Sequence, residues 1–568
     1  FSRGDTGTGA IIQLTVTTVY TALRREPLHW ERVLMTVNKG YAEWAVAAML
    51  VGFNSLAAPV REYLLSQGFH CTPLDQWRDV YKDWLNALRR CPILPRPYAA
   101  GPDEVLLLRK VFTCTFRSKD EADWEAEYLR RTKNIPVHMG LHEDGFLYRG
   151  VWEQDLQEHL HTLCNEVVGN AVNKARLDTL DEWWAARWAW APSGSSSLRH
   201  QCDEVKASDS RLTSGARPTK KAVYEELPDT YARERLERQP YAYVARASTK
   251  PEPGGKARAL YAVGDPEFVI SGYASVHLEK HMNIHGIKAK QTPADVLGWV
   301  RAGRSAPRGS RWSSIDYSDY NTEHEGLTLK HLNWHMAGAW AKHARGMACM
   351  RDKVRAAIWV AKAHGVKVVK MGDALWRVFG GLFSGDRDTA RDNTLLHGVY
   401  SRMAVRYAQK LDPSVRLIDA NYTGDDEDSL LGDWVQCLLY LFVHRAMGFV
   451  LKNEKQMCDP DYHEFLQRMS SASGLPTRPL FAPLAQFASG NWYKDVYTWY
   501  DSAVQSVSDN VWEMVSRGMP IELGRRLAVE TLNATMRVPT DDGWVLLEWW
   551  SYRHCGMDAH PLWVGTPG

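Results

Sequence analysis

Two acidic clusters and one regularly spaced polar segment carry the residue types that chemistry on a phosphate needs. The first cluster is Tyr422-Thr423-Gly424-Asp425-Asp426, preceded by the alternating Val415-Arg416-Leu417-Ile418 and followed by Leu430, Leu431 and Trp434. That pattern predicts a hairpin with carboxylates at its tip. Glu427 and Asp428 follow and make the tip more acidic. Two carboxylates about 4 Å apart repel by roughly 4 kcal/mol at an effective dielectric near 20, so a convergent group calls for a counter-ion. A divalent metal supplies one. A Gly-Asp-Asp triplet alone is weak evidence, because Gly and Asp are common turn residues.

The second cluster, Asp316-Tyr317-Ser318-Asp319-Tyr320-Asn321, follows the short strand-like run Trp312 to Ile315, which puts Asp316 at a strand end. If that strand lies beside the hairpin, Asp316 and Asp425 face each other and can hold two Mg²⁺ ions for in-line phosphoryl transfer to a 3′-hydroxyl. The competing reading is helix capping by Asp319 or Asn321, and this segment alone leaves both open. Between the clusters lies Ser384-Gly385-x-x-x-Thr389-x-x-x-Asn393. Its spacing of four predicts Gly385, Thr389 and Asn393 on one helical face, opened by a flexible Gly. Such a stripe suits hydrogen bonding to a nucleotide sugar; taken alone, the segment is more simply a Ser-capped helix with an exposed polar face.

The elements that must position these groups are legible in outline. At 568 residues, 45% hydrophobic and 24% charged, the chain predicts a large globular protein assembled from subdomains. Lys and Arg (69) nearly balance Asp and Glu (67), so any nucleic-acid affinity must come from local clustering. Ile11 to Trp190 reads as amphipathic helix, with Trp44, Val46, Ala47, Leu50 and Val51 as apolar positions. Pro192 to Lys221 reads as exposed loop, and a mixed α/β core follows: a strand ending at Ile315, helices from Leu327 to His364, a helix after Gly385 and the hairpin at Gly424. Trp434 to Leu451, interrupted by Gln436, His444 and Arg445, is expected to be a buried helix and not a membrane span. The tail from Ser470 returns to helical periodicity, with Trp544, Trp549 and Trp550 expected inside a C-terminal lobe. Nine cysteines without a C-x-x-C pair suggest free thiols, and His159, His161 and Cys164 read as ordinary helix residues. The start lacks the pattern of a signal peptide, and Phe1 in place of Met is compatible with processing from a longer product. Lys342, Arg345, Lys353 and Arg355 are expected on a solvated helix face. Arg211, Lys220 and Lys221, with Arg301, Arg304, Arg308 and Arg311, are expected to line a phosphate-contacting channel.

The order D-x-x-x-x-N, S-G-x-x-x-T-x-x-x-N, G-D-D resembles motifs A, B and C of viral RNA-dependent RNA polymerases. Further segments resemble the totivirus-like group from double-stranded RNA viruses. Lys250-Pro-Glu-Pro-Gly-Gly-Lys256-Ala-Arg258 is similar to the basic motif F, Gly448-Phe-Val-Leu-Lys452-Asn-Glu-Lys455-Gln456 to motif D, and Glu464-Phe465-Leu466 to motif E. Ser193, Gly194 and Ser195 resemble the template-entry motif G, and Gly490-Asn491-Trp492 a late signature of the group.

The resemblance implies an α+β right-hand polymerase with a closed, encircled active site. Its expected parts are an N-terminal bridging lobe (1–190), fingers (191–310 and 327–368), palm (311–326 and 369–470) and a thumb or C-terminal lobe (471–568). It implies Asp316, Asp425 and Asp426 as ligands of Mg²⁺ or Mn²⁺, and Lys452 or Lys455 as general acid, with no choice between them. Lys250, Lys256 and Arg258 are implied on the triphosphate, and Asn321, Ser384, Gly385, Thr389 and Asn393 around the nucleotide and its ribose. Asn321 departs from the Asp that many such enzymes have there; an amide both donates and accepts, so it can still select ribonucleotides. The implied activity is replication and transcription of a double-stranded RNA genome. Implied partners are single- and double-stranded viral RNA, NTPs and a capsid protein, with no membrane, in the virion interior or host cytoplasm. A reverse transcriptase and a capsid-associated RNA-binding protein with a polymerase fold are the alternatives.

Overall fold

A computed structural model of the chain describes residues 13–24, 30–73, 110–115, 120–192, 194–198, 219–252, 256–460, 462–471, 478–490, 500–552 and 559–565, with positions 75, 76, 80 and 83. The chain divides into two compact units. One joins Phe1–Asp120, Pro251–Ala257 and Gln467–Gly568; the other joins Glu121–Lys250 and Arg258–Leu466.

In the first unit the helix Glu43–Asn54 is buried on every side from Trp44 onward, and not along one stripe as its periodicity suggested. A helix apolar all round belongs at the centre of a core. Here the core is completed from the far end of the chain by the helices Phe481–Ala488, Tyr500–Ser516 and Ile521–Thr535. The approach is close: a Cβ at Gly52 would lie 2.4 Å from the Phe481 ring. N- and C-terminal stretches thus share one core, while residues 121–190 belong to the other unit. Of the three C-terminal tryptophans only Trp549 is buried. Trp544 and Trp550 are exposed, Trp544 because it sits on the open face of the two-stranded hairpin Arg537–Thr540 and Gly543–Leu546.

The second unit, apart from the ends of β1 and β2 within Pro251–Ala257, runs α1 (Trp124–Thr132), α2 (Arg149–Lys174), β1 (Tyr243–Glu252), β2 (Lys256–Val263), α3 (Asp265–Ser275), α4 (Pro293–Arg304), β3 (Arg311–Ile315), α5 (Gly326–His343), α6 (Met350–Ala363), β4 (Lys367–Met371), β5 (Ala374–Arg377), α7 (Thr389–Leu411), β6 (Leu417–Thr423), β7 (Asp426–Leu431), α8 (Trp434–Ala446) and β8 (Met457–Asp459). One sheet has the order β8-β3-β7-β6, with every neighbouring pair antiparallel. Ile315, Tyr422 and Leu431 of this sheet pack with Tyr400 and Met403 of α7 and Tyr440 and Val443 of α8. The second sheet has the order β2-β1-β4-β5, with β1 and β4 parallel. Tyr243, Tyr261 and Val369 of that sheet pack with Ile270 of α3 and Val360 of α6.

The apolar stretch from Trp434 does not form a fully buried helix. α8 buries Cys437, Tyr440 and Val443 but exposes Trp434, Val435, Leu438 and Phe442. Two of its three polar interruptions, Gln436 and His444, point inward while Arg445 is exposed; the Gln436 amide oxygen accepts from the Arg416 and Gly432 main-chain nitrogens at 2.9 and 3.1 Å. Among the described residues no helix is long and apolar enough to cross a membrane. The described cysteines are free. Cys164 is buried in α2, and His159 Nδ1 contacts Asp155 O of its own helix at 2.8 Å.

Candidate active site

Strand register sets the carboxylates. β3 pairs with β7 so that Ser313 lies opposite Ser429, Ser314 opposite Asp428 and Ile315 opposite Glu427. One residue beyond, Asp316 falls opposite Asp426. Residues two apart on a strand share a face, and the preceding pair on this face is in contact: Ser314 Oγ donates to Asp428 Oδ1 at 3.0 Å. Facing pairs in an antiparallel ladder have Cβ atoms about 4.5–5.5 Å apart, so the Asp316 and Asp426 carboxyls converge. β6 closes onto β7 with Thr423 opposite Asp426, which leaves Gly424 and Asp425 as a two-residue turn. Gly424 has φ +59°, a left-handed conformation natural to Gly. Glu427 and Asp428 are not at the tip as expected; they lie within β7, fully buried, on opposite faces.

Burial, followed by the charges of Asp425, Glu464 and Asp316, pushes the Asp426 carboxyl up to about 7, with His397 opposing. Two lysines answer this charge. Lys452 Nζ lies 3.4 Å from Asp316 Oδ1 and Lys455 Nζ 3.2 Å from Oδ2. The main chain fixes them there, since Lys452 N donates to Asp316 O at 3.0 Å and Gln456 Nε2 donates to the same oxygen at 2.8 Å. The Asp316, Asp425 and Asp426 donor set is all oxygen, partly open and in excess of its positive neighbours, which suits a hard dication such as Mg²⁺.

Behind the turn lies a network that the sequence did not reveal. Glu427 accepts from Tyr440 OH at 2.6 Å, Ser429 Oγ at 2.5 Å and Ser401 Oγ at 3.1 Å, and His397 Nε2 lies 2.8 Å from it. Burial works to raise the Glu427 carboxyl, but the hydrogen bond and charge of His397, with help from His444 and Ser429, hold it at about 2. His397 Nδ1 reaches Gly424 O at 2.9 Å, and Gly424 N donates to Thr394 Oγ1 at 2.9 Å. Both His397 and Thr394 belong to α7, so the Gly424–Asp425 turn is fastened to that helix. Thr394 and His397 lie one and four positions after Asn393; extending the spacing of four by one step reaches His397.

α7 begins at Thr389, and Gly385 lies before it, not on its face as expected. Gly385 instead bridges Ala262 of β2 and donates its N–H to Tyr261 O at 3.1 Å. A Cβ there would sit 2.4 Å from Tyr261 O, so close backbone approach, and not flexibility, requires Gly. Ser384 Oγ accepts from Tyr261 N at 3.2 Å and donates to Ala259 O at 3.3 Å. Thr389 Oγ1 donates to Phe383 O at 2.6 Å. Asn393 is held by a relay. Burial drives the His324 imidazole down to about 3, which keeps it neutral; Tyr400 OH lies 3.1 Å from Nδ1, and Nε2 lies 2.7 Å from Asn393 Oδ1. Asn393 Nδ2 then donates to Asn321 Oδ1 at 2.8 Å. With its oxygen engaged, Asn321 presents its amide N–H groups.

Among the basic residues, Lys250 and Arg258 are exposed on β1 and β2, and β2 begins at Lys256. Gly194 and Ser195 are exposed, and Ser195 bridges Thr219; Ser193, Arg211, Asn491 and Trp492 lie outside the described residues. Lys220 is no open channel residue, because its Nζ sits 3.0 Å from the buried Asp265 Oδ1. Lys353 is not on a solvated face. It is wholly buried, with Nζ 4.0 Å from the Tyr273 ring centre. Asp319, the alternative cap, caps no helix through its side chain and is bonded by Arg130 Nη1 at 3.3 Å.

These features are shared with known proteins. Residues 104–492 match the family described as viral RNA-directed RNA-polymerase, more than half of the chain, and the chain belongs to that family. Its mixed helices and sheets are accordingly those of a right-hand polymerase of α+β class. One curated relative is the RNA-directed RNA polymerase of Penicillium chrysogenum virus (isolate Caston/2003), 24% identical over 310 residues, which cover 54% of this chain and 26% of the relative. The chain thus spans about a quarter of that relative's length. Among solved structures, the BmCPV RNA-dependent RNA polymerase at elongation state aligns at 13% identity over 77% of this chain and 37% of its own, with a TM-score of 0.47. A human picobirnavirus RNA-dependent RNA polymerase aligns at 11% identity over 73% and 90%, with a TM-score of 0.39.

Proposed function

We propose that the chain performs RNA-templated RNA synthesis, joining NTPs to a growing 3′ end with release of pyrophosphate. The observation that carries this reading is the register of Ile315 opposite Glu427 and Thr423 opposite Asp426, which brings the end of β3 at Asp316 beside the turn of Asp425 and Asp426. Asp316, Asp425 and Asp426 would hold Mg²⁺ or Mn²⁺, which when bound supply activation of the attacking hydroxyl and neutralisation of the departing pyrophosphate. The chain's own residues do the rest. Asn321, oriented by Asn393, donates to the ribose hydroxyl; Lys250, Lys256 and Arg258 bind the triphosphate by charge. Lys452 and Lys455 both reach Asp316 and are both placed to deliver a proton to the pyrophosphate. We assign the expected lobes, with the template entering past Ser193, Gly194 and Ser195, to the same reading. So too are viral single- and double-stranded RNA and a capsid protein as partners, and the virion interior or host cytoplasm as location.

The test is incorporation of labelled NTPs on a single-stranded RNA template with Mg²⁺ or Mn²⁺. Template-dependent product should appear with the native chain and vanish with Asp425→Ala, whose melting temperature stays close to native. Undiminished synthesis by Asp425→Ala would overturn the assignment.

A further inference from the structure

Outside the active site, one buried cluster lacks the partners its chemistry requires. His364 closes the C-terminal end of α6, Asp388 stands at the N-cap of α7 and Asp392 lies in the first turn of α7. All three are buried. One ligand atom from each lies within 4.8 Å of the others. Four of their atoms have no hydrogen-bond partner: both ring nitrogens of His364, Asp388 Oδ1 and Asp392 Oδ2. Buried polar atoms are nearly always satisfied, so orphans on all three residues, from two helices, need a common explanation.

We propose that His364, Asp388 and Asp392 form a structural metal site for a transition-metal dication of the Zn²⁺ or Mn²⁺ kind, distinct from Asp316, Asp425 and Asp426. His364 Nε2 and Asp392 Oδ2 are 3.9 Å apart, too far for a hydrogen bond. With metal–ligand distances of about 2.0–2.2 Å a tetrahedral ion holds its ligand atoms about 3.3–3.6 Å apart, so a few tenths of an ångström of closure brings the two onto one ion. One imidazole and two carboxylates suit Zn²⁺ or Mn²⁺ better than Mg²⁺, which prefers oxygen and retained water.

Charge points the same way. Arg391 pairs with Asp392 at 2.6 Å and with Asp388 at 3.3 Å, and Lys367 Nζ lies 3.7 Å from Asp386 Oδ2, with the Tyr243 hydroxyl also donating to Asp386. Three carboxylates against two cations leave one formal negative charge in a site closed to water. Arg391 uses one oxygen of each ligating carboxylate and leaves the other free. An ion here clamps the end of α6 to the start of α7, one residue from Asn393.

The test loads the purified full chain with Zn²⁺, or separately with Mn²⁺, and dialyses it against excess Mg²⁺ to clear the catalytic carboxylates before elemental analysis. The native chain and Asp425→Ala should each retain one transition metal and melt at a higher temperature than after chelation. His364→Ala and Asp392→Asn should retain none and lose the thermal response. If the alanine variant does not fold by circular dichroism, His364→Gln, which keeps a polar side chain of similar reach, is read in its place. A native chain that retains neither metal, as expected if water fills the cluster, overturns the proposal. So does full retention by the folded His364 variant.

Discussion

Replacing Asn321 or its partner tests how the site tells ribose from deoxyribose. Asn321 Oδ1 is taken by Asn393 Nδ2 at 2.8 Å, so the amide faces the sugar as a donor. A neutral hydrogen bond is worth about 0.5–1.5 kcal/mol net, or roughly 2- to 13-fold. Asn321→Ala should therefore lower the ratio of kcat/KM for an NTP over its dNTP by that factor. Asn393→Ala should produce a similar loss without removing the sensing side chain, because Asn321 is then free to rotate. It also leaves the neutral His324 ring without its acceptor, at a stability cost of about 1–3 kcal/mol. Asn321→Asp keeps the bond from Asn393 and turns a charged acceptor to the ribose hydroxyl, where charge-assisted bonds contribute about 1.5–3 kcal/mol; discrimination should rise. The assay is single-nucleotide extension on an RNA template with each NTP and dNTP pair. If Asn393→Ala keeps the native ratio while Asn321→Ala loses it, the relay does not orient the sensor and the reasoning fails.

Two further perturbations follow from particular contacts. Gly385→Ala drives a Cβ to 2.4 Å from Tyr261 O and must shift either α7 or β2, so activity should fall at least tenfold, the equivalent of about 1.4 kcal/mol; full activity in an extension assay would show that the junction yields at no cost. Lys353 is wholly buried, and burial lowers it from 10.5 to about 7. The unfolded chain therefore binds the extra proton between those values, and stability rises with pH across that window. Native protein should gain on Lys353→Met by up to about 3 kcal/mol between pH 7 and pH 9, an upper bound because the Tyr273 and Trp340 rings favour the charged form. Parallel denaturation midpoints at the two pH values would contradict it.

Much of the β8-β3-β7-β6 sheet was legible because strands announce themselves by period and turn. Trp312 to Ile315 and the two arms around Gly424 were readable as strands, and their pairing needed only the assumption that they adjoin. The identity of the buried side chains was less accessible. Glu427 and Asp428 read as extra acid at an exposed tip because nothing local shows that β7 is covered on both faces. Lys353 read as surface because a single lysine among charged neighbours carries no sign of the aromatic rings that receive it. Gly385 read as a flexible opening, when the reason for it is a strand more than a hundred residues earlier in the chain. In each case the missing information was a contact distant in sequence. His364 shows the same limit: the carboxylates beside it, Asp388 and Asp392, come from the next helix, across β4 and β5.

Thr394 and His397 hold the turn from the helix that also carries Asn393. Sugar recognition and placement of Asp425 are therefore not independent adjustments. On the proposed reading, a nucleotide that fits poorly beside Asn321 and Asn393 strains the helix that also holds the turn, so the penalty for a wrong sugar is expected in the speed of bond formation as well as in binding. Fidelity in such an arrangement is kinetic: a mismatched substrate can occupy the site and still wait.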